Sequence, residues 1–183
     1  MRTALSELAT LFAATAGRIT PDQLDRRTPC PDYSVGDLLA HLGGILPDSE
    51  RAARKEPRPA EPVPPLTDPA AVARAAERTA AAWRAPDALS GTTEFGPGTL
   101  PAEVAAAITL QELALHGWDL AQALGLDHPV GESTAKTVLG VVEQLAGQAR
   151  ANGSYGPPVD VAADAGPFDR ALGASGRTPA RRP

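Results

Sequence analysis

Three histidines occur in the 183 residues, and two of them lie in segments whose apolar residues recur with helical spacing. Glu112 and His116 are four positions apart. On one helix that separation stacks the two side chains on the same face about one turn apart, where both can reach a single ion. His41 belongs to another segment, beside Leu38, Leu42 and Ile45, and antiparallel packing of the two segments would set it opposite the pair. Two neutral imidazoles and one carboxylate form a donor set that zinc and other borderline divalent cations accept, leaving at least one coordination position for water or substrate. Spacing alone keeps a second reading open, in which each histidine merely hydrogen-bonds a neighbour in a helical core.

Other residues bear on the same chemistry. Asp37 precedes His41 by one turn and Asp119 follows His116 by three residues, so either could accept a hydrogen bond from a non-ligating ring nitrogen; capping or surface solvation is the alternative for both. Gln111 adjoins Glu112 and is placed for a pocket mouth. Cys30 is the single cysteine, which excludes an internal disulfide and fits a reducing compartment. A thiolate there would be reactive, but no histidine is near it in sequence, and packing is the favoured role over catalysis. His128, beside Pro129, reads as a surface histidine on a loop, and Trp118 as a core or interface residue.

The elements that must position these groups are helical. Leu5, Leu8, Leu11 and Phe12 share one stripe of a first helix from about Thr3 to Gly17. After the turn-rich run Thr28-Pro-Cys-Pro-Asp-Tyr33, Ser34 is a suitable N-cap, with Asp37 three residues on in the place of a capping-box acid, and the helix that follows carries His41. Six prolines between Glu56 and Pro69 predict an extended connector. Asp68-Pro69 then caps and opens a third helix that runs through Trp83 to Arg84 and stops at Pro86. Thr92 to Phe95, between glycines, suggests a short extended piece. From Leu100-Pro101 to Gly125 runs the strongest helical pattern, carrying Glu112 and His116. A fifth helix is expected from about Glu132 to Ala151, and a short helical turn near Phe168 to Leu172.

Composition agrees with an all-α domain. Hydrophobic residues make up 43% of the chain but aromatics only 4%, and the alanine-dominated remainder favours closely packed helices over a sheet of Val, Ile and Tyr. The length suits one domain, assigned to residues 1–176, with 177–183 as a polar tail. A net charge of −5 without a run of Lys or Arg argues against a nucleic-acid partner. No window approaches the roughly 20 apolar residues of a membrane span, so the chain reads as soluble and cytoplasmic with no membrane partner.

Two stretches carry a family resemblance. Thr28-Pro-Cys-Pro-Asp-Tyr-Ser-Val-Gly-Asp-Leu-Leu-Ala-His41-Leu with Gly43-Gly44, and Glu112 followed by Leu113-Ala-Leu-His116-Gly-Trp-Asp-Leu-Ala-Gln-Ala-Leu-Gly125, resemble the two signatures of actinobacterial DinB-like proteins related to mycothiol-dependent maleylpyruvate isomerase. The tail Gly156-Pro-Pro-Val159, with Ala163-Asp164 and Phe168-Asp-Arg170, is also similar. The resemblance implies a DinB-like four-helix bundle with short additional helices and loops, and metal ligands at His41, Glu112 and His116. It implies zinc first, with nickel, iron or manganese also accepted by such donors, and mycothiol as cosubstrate. The activity implied is thiol transfer to, or thiol-assisted isomerisation of, a small electrophilic substrate, by a monomer or homodimer. A non-catalytic metal-dependent binding or stress-response module is the alternative. From the resemblance, the C-terminal domain that the isomerase itself resembles in other members is not expected in this chain, which bears on the isomerase activity and not on the metal ligands.

Overall fold

The computed structural model describes residues 1–179; residues 180–183 of the expected polar tail lie outside that range. The described residues form two compact units, Met1–Pro129 and a second beginning at Val130. The first unit holds α1 (Arg2–Ala16), a single 3-10 turn at Pro21–Gln23, α2 (Val35–Ala53), α3 (Pro69–Ala82), a hairpin of β1 (Thr92–Phe95) and β2 (Gly98–Pro101), and α4 (Ala102–Leu124). In the second are α5 (Glu132–Ala151) and α6 (Pro167–Ala174), which pack on each other. None of the described helices is long and apolar enough to cross a membrane.

In the first unit α1 and α2 each pack against both α3 and α4, which makes a four-helix ring around one core. Leu5, Leu8 and Phe12 of α1, Leu38, Leu42 and Leu46 of α2 and Leu110 and Leu113 of α4 are fully buried. The alanines do the work expected of them: Ala75 and Ala76 of α3 and Ala102, Ala105, Ala106 and Ala114 of α4 are buried, and their small side chains let the helix axes approach. α4 is enclosed on most of its circumference, so any polar group on it must find a partner.

Polar ties fix how the helices sit. Ser49 and Thr109 share a hydrogen bond at 2.6 Å, Trp83 Nε1 donates to Ser49 Oγ at 2.8 Å, and Thr79 Oγ1 donates to the Leu46 carbonyl. All four side chains are buried, which links α2, α3 and α4 at one level. Moving from Ser49 back to His41 on α2 matches moving forward from Thr109 to Glu112 on α4, so the two helices run in opposite directions.

Local chemistry sets the ends. Ser34 and Asp37 form a reciprocal capping box at the start of α2, and Asp68 accepts from Ala71 N at the start of α3. Gly125 ends α4 at φ 69°, the left-handed conformation that favours glycine. One feature differs from the expected boundaries: Leu100-Pro101 belongs to β2 rather than to the first turn of α4. α2 runs through Pro47 to Ala53. The connector returns across α2: Leu66 N donates to the Gly43 carbonyl at 3.2 Å, and a Cβ on Gly43 would overlap the Leu66 carbonyl. Gly43 is therefore the point where backbone passes directly over a helix.

Candidate metal centre

The antiparallel register of α2 and α4 brings His41 opposite Glu112 and His116. His41 Nε2 lies 2.9 Å from Glu112 Oε2, and His116 Nε2 lies 3.4 Å from the same oxygen. The three ligand atoms all lie within 4.8 Å of one another. Side-chain exposure falls from 26% at His41 to 13% at Glu112 and 12% at His116, so the cluster opens to solvent on the His41 side.

Asp119 completes the arrangement from below. Its carboxylate is fully buried and sits 2.9 Å from His116 Nδ1. A buried carboxylate at that distance takes the Nδ1 proton as a hydrogen bond, fixing the ring's orientation and leaving the Nε2 lone pair toward Glu112. Two acceptors then face each other, a lone pair and a carboxylate oxygen, and only a proton or a shared cation relieves that opposition. The spacing fits a cation: donors about 2.1 Å from a tetrahedral zinc ion lie about 3.4 Å apart. His41 to Glu112 is shorter by half an ångström, the length of a direct hydrogen bond that a bound ion would replace with release of a proton.

The other sequence-predicted residues divide. Asp37 is exposed, and its Oδ2 accepts from Ser34 N and Oγ at 3.0 and 2.6 Å. Those bonds hold its carboxyl below the usual carboxylate range, so it serves the helix cap and not a ring nitrogen. Gln111, expected at a pocket mouth, is buried on the enclosed face of α4. Trp118 is buried, as a core residue should be. His128 is not the surface histidine expected of a loop: it is only 9% exposed, because Gly117 leaves the space its ring fills. A Cβ on Gly117 would come within 3.1 Å of His128 Cε1. Burial lowers its pKa from 6.5 to about 4, with the Asp119 charge pulling the opposite way.

Two residues reach the cluster that sequence spacing did not place there. The sulfur of Cys30 lies within 4.8 Å of a His116 ring nitrogen and an Asp119 oxygen, although no histidine is near it along the chain. Tyr33, legible only as part of a turn, sets its ring 5.4 Å from that of His41 and 6.3 Å from that of His116, centroid to centroid. Both come from the loop 28–33, and the signal that could have flagged them is the position of that loop immediately before the His41 helix.

A ring of four helices with two histidines and a glutamate converging between α2 and α4 defines a DinB-like bundle. The chain belongs to the family described as mycothiol maleylpyruvate isomerase N-terminal domain, whose model matches residues 5–121. It is 30% identical over 138 residues, 74% of each chain, to uncharacterized proteins from two Mycobacterium tuberculosis strains, CDC 1551 / Oshkosh and ATCC 25618 / H37Rv. Among solved structures it is similar to a mycothiol-dependent maleylpyruvate isomerase. A histidine-to-alanine mutant of that enzyme matches with a TM-score of 0.57 at 17% identity, and the unmutated form with 0.54 at 18%. Each of these comparisons covers 81% of this chain and 70% of the other. At that identity the likeness establishes the fold, and the chemistry must come from the residues.

Proposed function

We propose that this protein is a divalent-metal-dependent enzyme that directs a small thiol, mycothiol, at a small electrophilic organic substrate, either transferring the thiol or using it to isomerise a cis double bond. The observation that carries this reading is the meeting of His41 Nε2, Glu112 Oε2 and His116 Nε2, with Asp119 holding the far side of His116. The family and the mycothiol-dependent structural neighbours support the choice of thiol.

A divalent cation in this donor set would supply the charge that keeps a thiol in its thiolate form at neutral pH. The residues divide the remaining tasks. Glu112 contributes the one negative charge among the three ligands, so a divalent ion would keep part of its charge for an anion in the open position, offset by the buried Asp119 carboxylate behind His116. Asp119 orients His116 and sets its tautomer. His41, the most exposed of the three, marks the side from which thiol and substrate enter, and enclosure of α4 keeps water from the opposite side. Zinc is the first expectation, with nickel, iron and manganese compatible with the same donors. Residues 1–176 would act as one metal-binding domain in the cytoplasm, as a monomer or homodimer.

The test is direct. Purified protein, with and without added zinc, is incubated with mycothiol and a panel of electrophiles that includes cis-unsaturated keto acids, and thiol loss and cis-to-trans conversion are followed. Metal-dependent consumption or conversion supports the enzyme. Metal binding with neither, across the panel, would replace it with a metal-dependent binding module.

A further inference from the structure

His116 belongs to two donor groups. Besides its meeting with His41 and Glu112, a ring nitrogen of His116, the Cys30 sulfur and an Asp119 carboxylate oxygen all lie within 4.8 Å of one another. Nδ1 is the nitrogen beside Asp119, 2.9 Å from its Oδ2, whereas Nε2 faces Glu112 at 3.4 Å. The two groups therefore use different nitrogens of one imidazole. Asp119 is fully buried on α4, three residues after His116. Cys30 is half-buried between Pro29 and Pro31, and its carbonyl accepts from Thr28 Oγ1 at 3.0 Å and from Tyr33 N at 3.1 Å. Arg27 adds a bond to the Pro31 carbonyl at 2.9 Å. The flanking prolines and these bonds leave the Cys30 backbone little freedom, so holding its sulfur near the buried carboxylate needs little further ordering.

Donor chemistry separates the groups. Two imidazoles and a carboxylate suit borderline divalent ions, and a thiolate in place of one imidazole shifts the preference toward soft ones. A buried carboxylate is stable when it is paired or coordinated, and a cation between it and a thiolate offsets both charges. We propose that Cys30 Sγ, His116 Nδ1 and an Asp119 oxygen form a second, thiolate-containing site that takes a thiophilic cation softer than zinc. The site goes beyond the metal-dependent reading above and does not depend on it. A nitrogen and a sulfur on one tetrahedral zinc ion lie about 3.5 Å apart, so the loop has to close by up to about an ångström on a zinc-sized ion, and by less on a larger one.

The protons balance simply. The Cys30 thiol releases its proton to solvent as the sulfur–metal bond forms. The His116 ring stays neutral: its proton leaves Nδ1, which binds the ion, and sits on Nε2, where it points at Glu112 Oε2. The first donor group needs the opposite tautomer, with Nδ1–H held by Asp119. One imidazole thus serves one ion at a time, and a soft ion beside Cys30 withdraws His116 from His41 and Glu112.

The probe is cadmium(II) alone, titrated into the reduced protein and followed by sulfur-to-cadmium charge-transfer absorption in the near ultraviolet. Cys30 is the single cysteine, so that absorption reports its sulfur. Wild type should show it, and His41→Ala, which lacks a donor of the first group only, should show it saturating at one cadmium per chain. Asp119→Asn and His116→Ala, each shown folded by circular dichroism, should raise the cadmium dissociation constant about tenfold or more, since even an outer hydrogen-bond partner of a metal ligand is worth that much. Cys30→Ser should lose the absorption and keep its zinc. No thiolate absorption in wild type, or the same cadmium affinity in Asp119→Asn and His116→Ala as in wild type, would overturn the site, the latter by showing a lone thiol at work. Loss of zinc from Cys30→Ser would overturn the separation of the two donor groups. Zinc uptake by wild type tests the first group by itself, so a failure there is distinct from a failure here.

Discussion

Asp119 offers the most informative single substitution, because it touches no substrate and is not one of the three ligands. Its carboxylate oxygen is 2.9 Å from His116 Nδ1 and none of its side chain is exposed, so the hydrogen bond is made without competition from water. Asp119→Asn keeps the shape and a carbonyl acceptor but removes the charge that favours the Nδ1–H tautomer. Asp119→Ala removes the acceptor altogether. Loss of such an outer hydrogen bond typically weakens metal binding about 10- to 100-fold, or about 1.4 to 2.7 kcal/mol. We expect the asparagine variant near the lower bound and the alanine variant near the upper. The alanine variant should also lose about 1–3 kcal/mol of folding stability from an unsatisfied buried N–H. Competition against a chromophoric zinc chelator measures the affinities, and circular dichroism confirms the fold. If Asp119→Asn and Asp119→Ala both bound zinc as tightly as wild type while His116→Ala did not, the orientation argued for His116 would be refuted.

Three further outcomes follow from the same structure. The His128 pKa is depressed on folding from 6.5 to about 4, so the unfolded chain takes up the proton first; stability intact above pH 6.5 is lost as pH falls toward 4. At about 1.4 kcal/mol per pH unit the loss is about 3 kcal/mol, and denaturant midpoints at pH 7, 5 and 4 should fall less steeply in His128→Gln than in wild type, parallel curves counting against it. Gly43→Ala drives a methyl into the Leu66 carbonyl and should cost about 1–3 kcal/mol, seen as a lower thermal midpoint; an unchanged midpoint would mean that the connector does not cross α2 there. Ser49→Ala strands the buried Trp83 indole N–H and should destabilise by a comparable about 1–3 kcal/mol, with zinc affinity retained.

Much of this arrangement could be read from the chain because it is local. The four-residue spacing of Glu112 and His116 survives intact on α4, and the Ser34–Asp37 capping box fixes where α2 starts and hence where His41 falls. Asp37 was ambiguous between cap and ring partner; the cap prevails because its acceptor geometry is set within one turn, whereas an imidazole must be brought by tertiary packing. What sequence did not show is long-range. His128 follows a helix end and precedes a proline, features of an exposed loop, and only the missing side chain of Gly117 makes room to bury it. Cys30 and Tyr33 carry no periodic signal, and their position beside His116, more than eighty residues further on, depends on a loop whose hydrogen bonds are irregular. Gly43-Gly44 stood in the sequence only as part of a family signature, because the segment that requires Gly43, at Leu66, is brought back across α2 by a connector with no periodic signal.

Metal stoichiometry is the decisive quantity. The protein dialysed against excess zinc and then metal-free buffer should retain one ion per chain by elemental analysis. His41→Ala, Glu112→Ala and His116→Ala, each shown folded by circular dichroism, should retain well under half of one. Wild-type protein without stoichiometric metal, or folded variants that hold as much as wild type, would contradict the proposed centre.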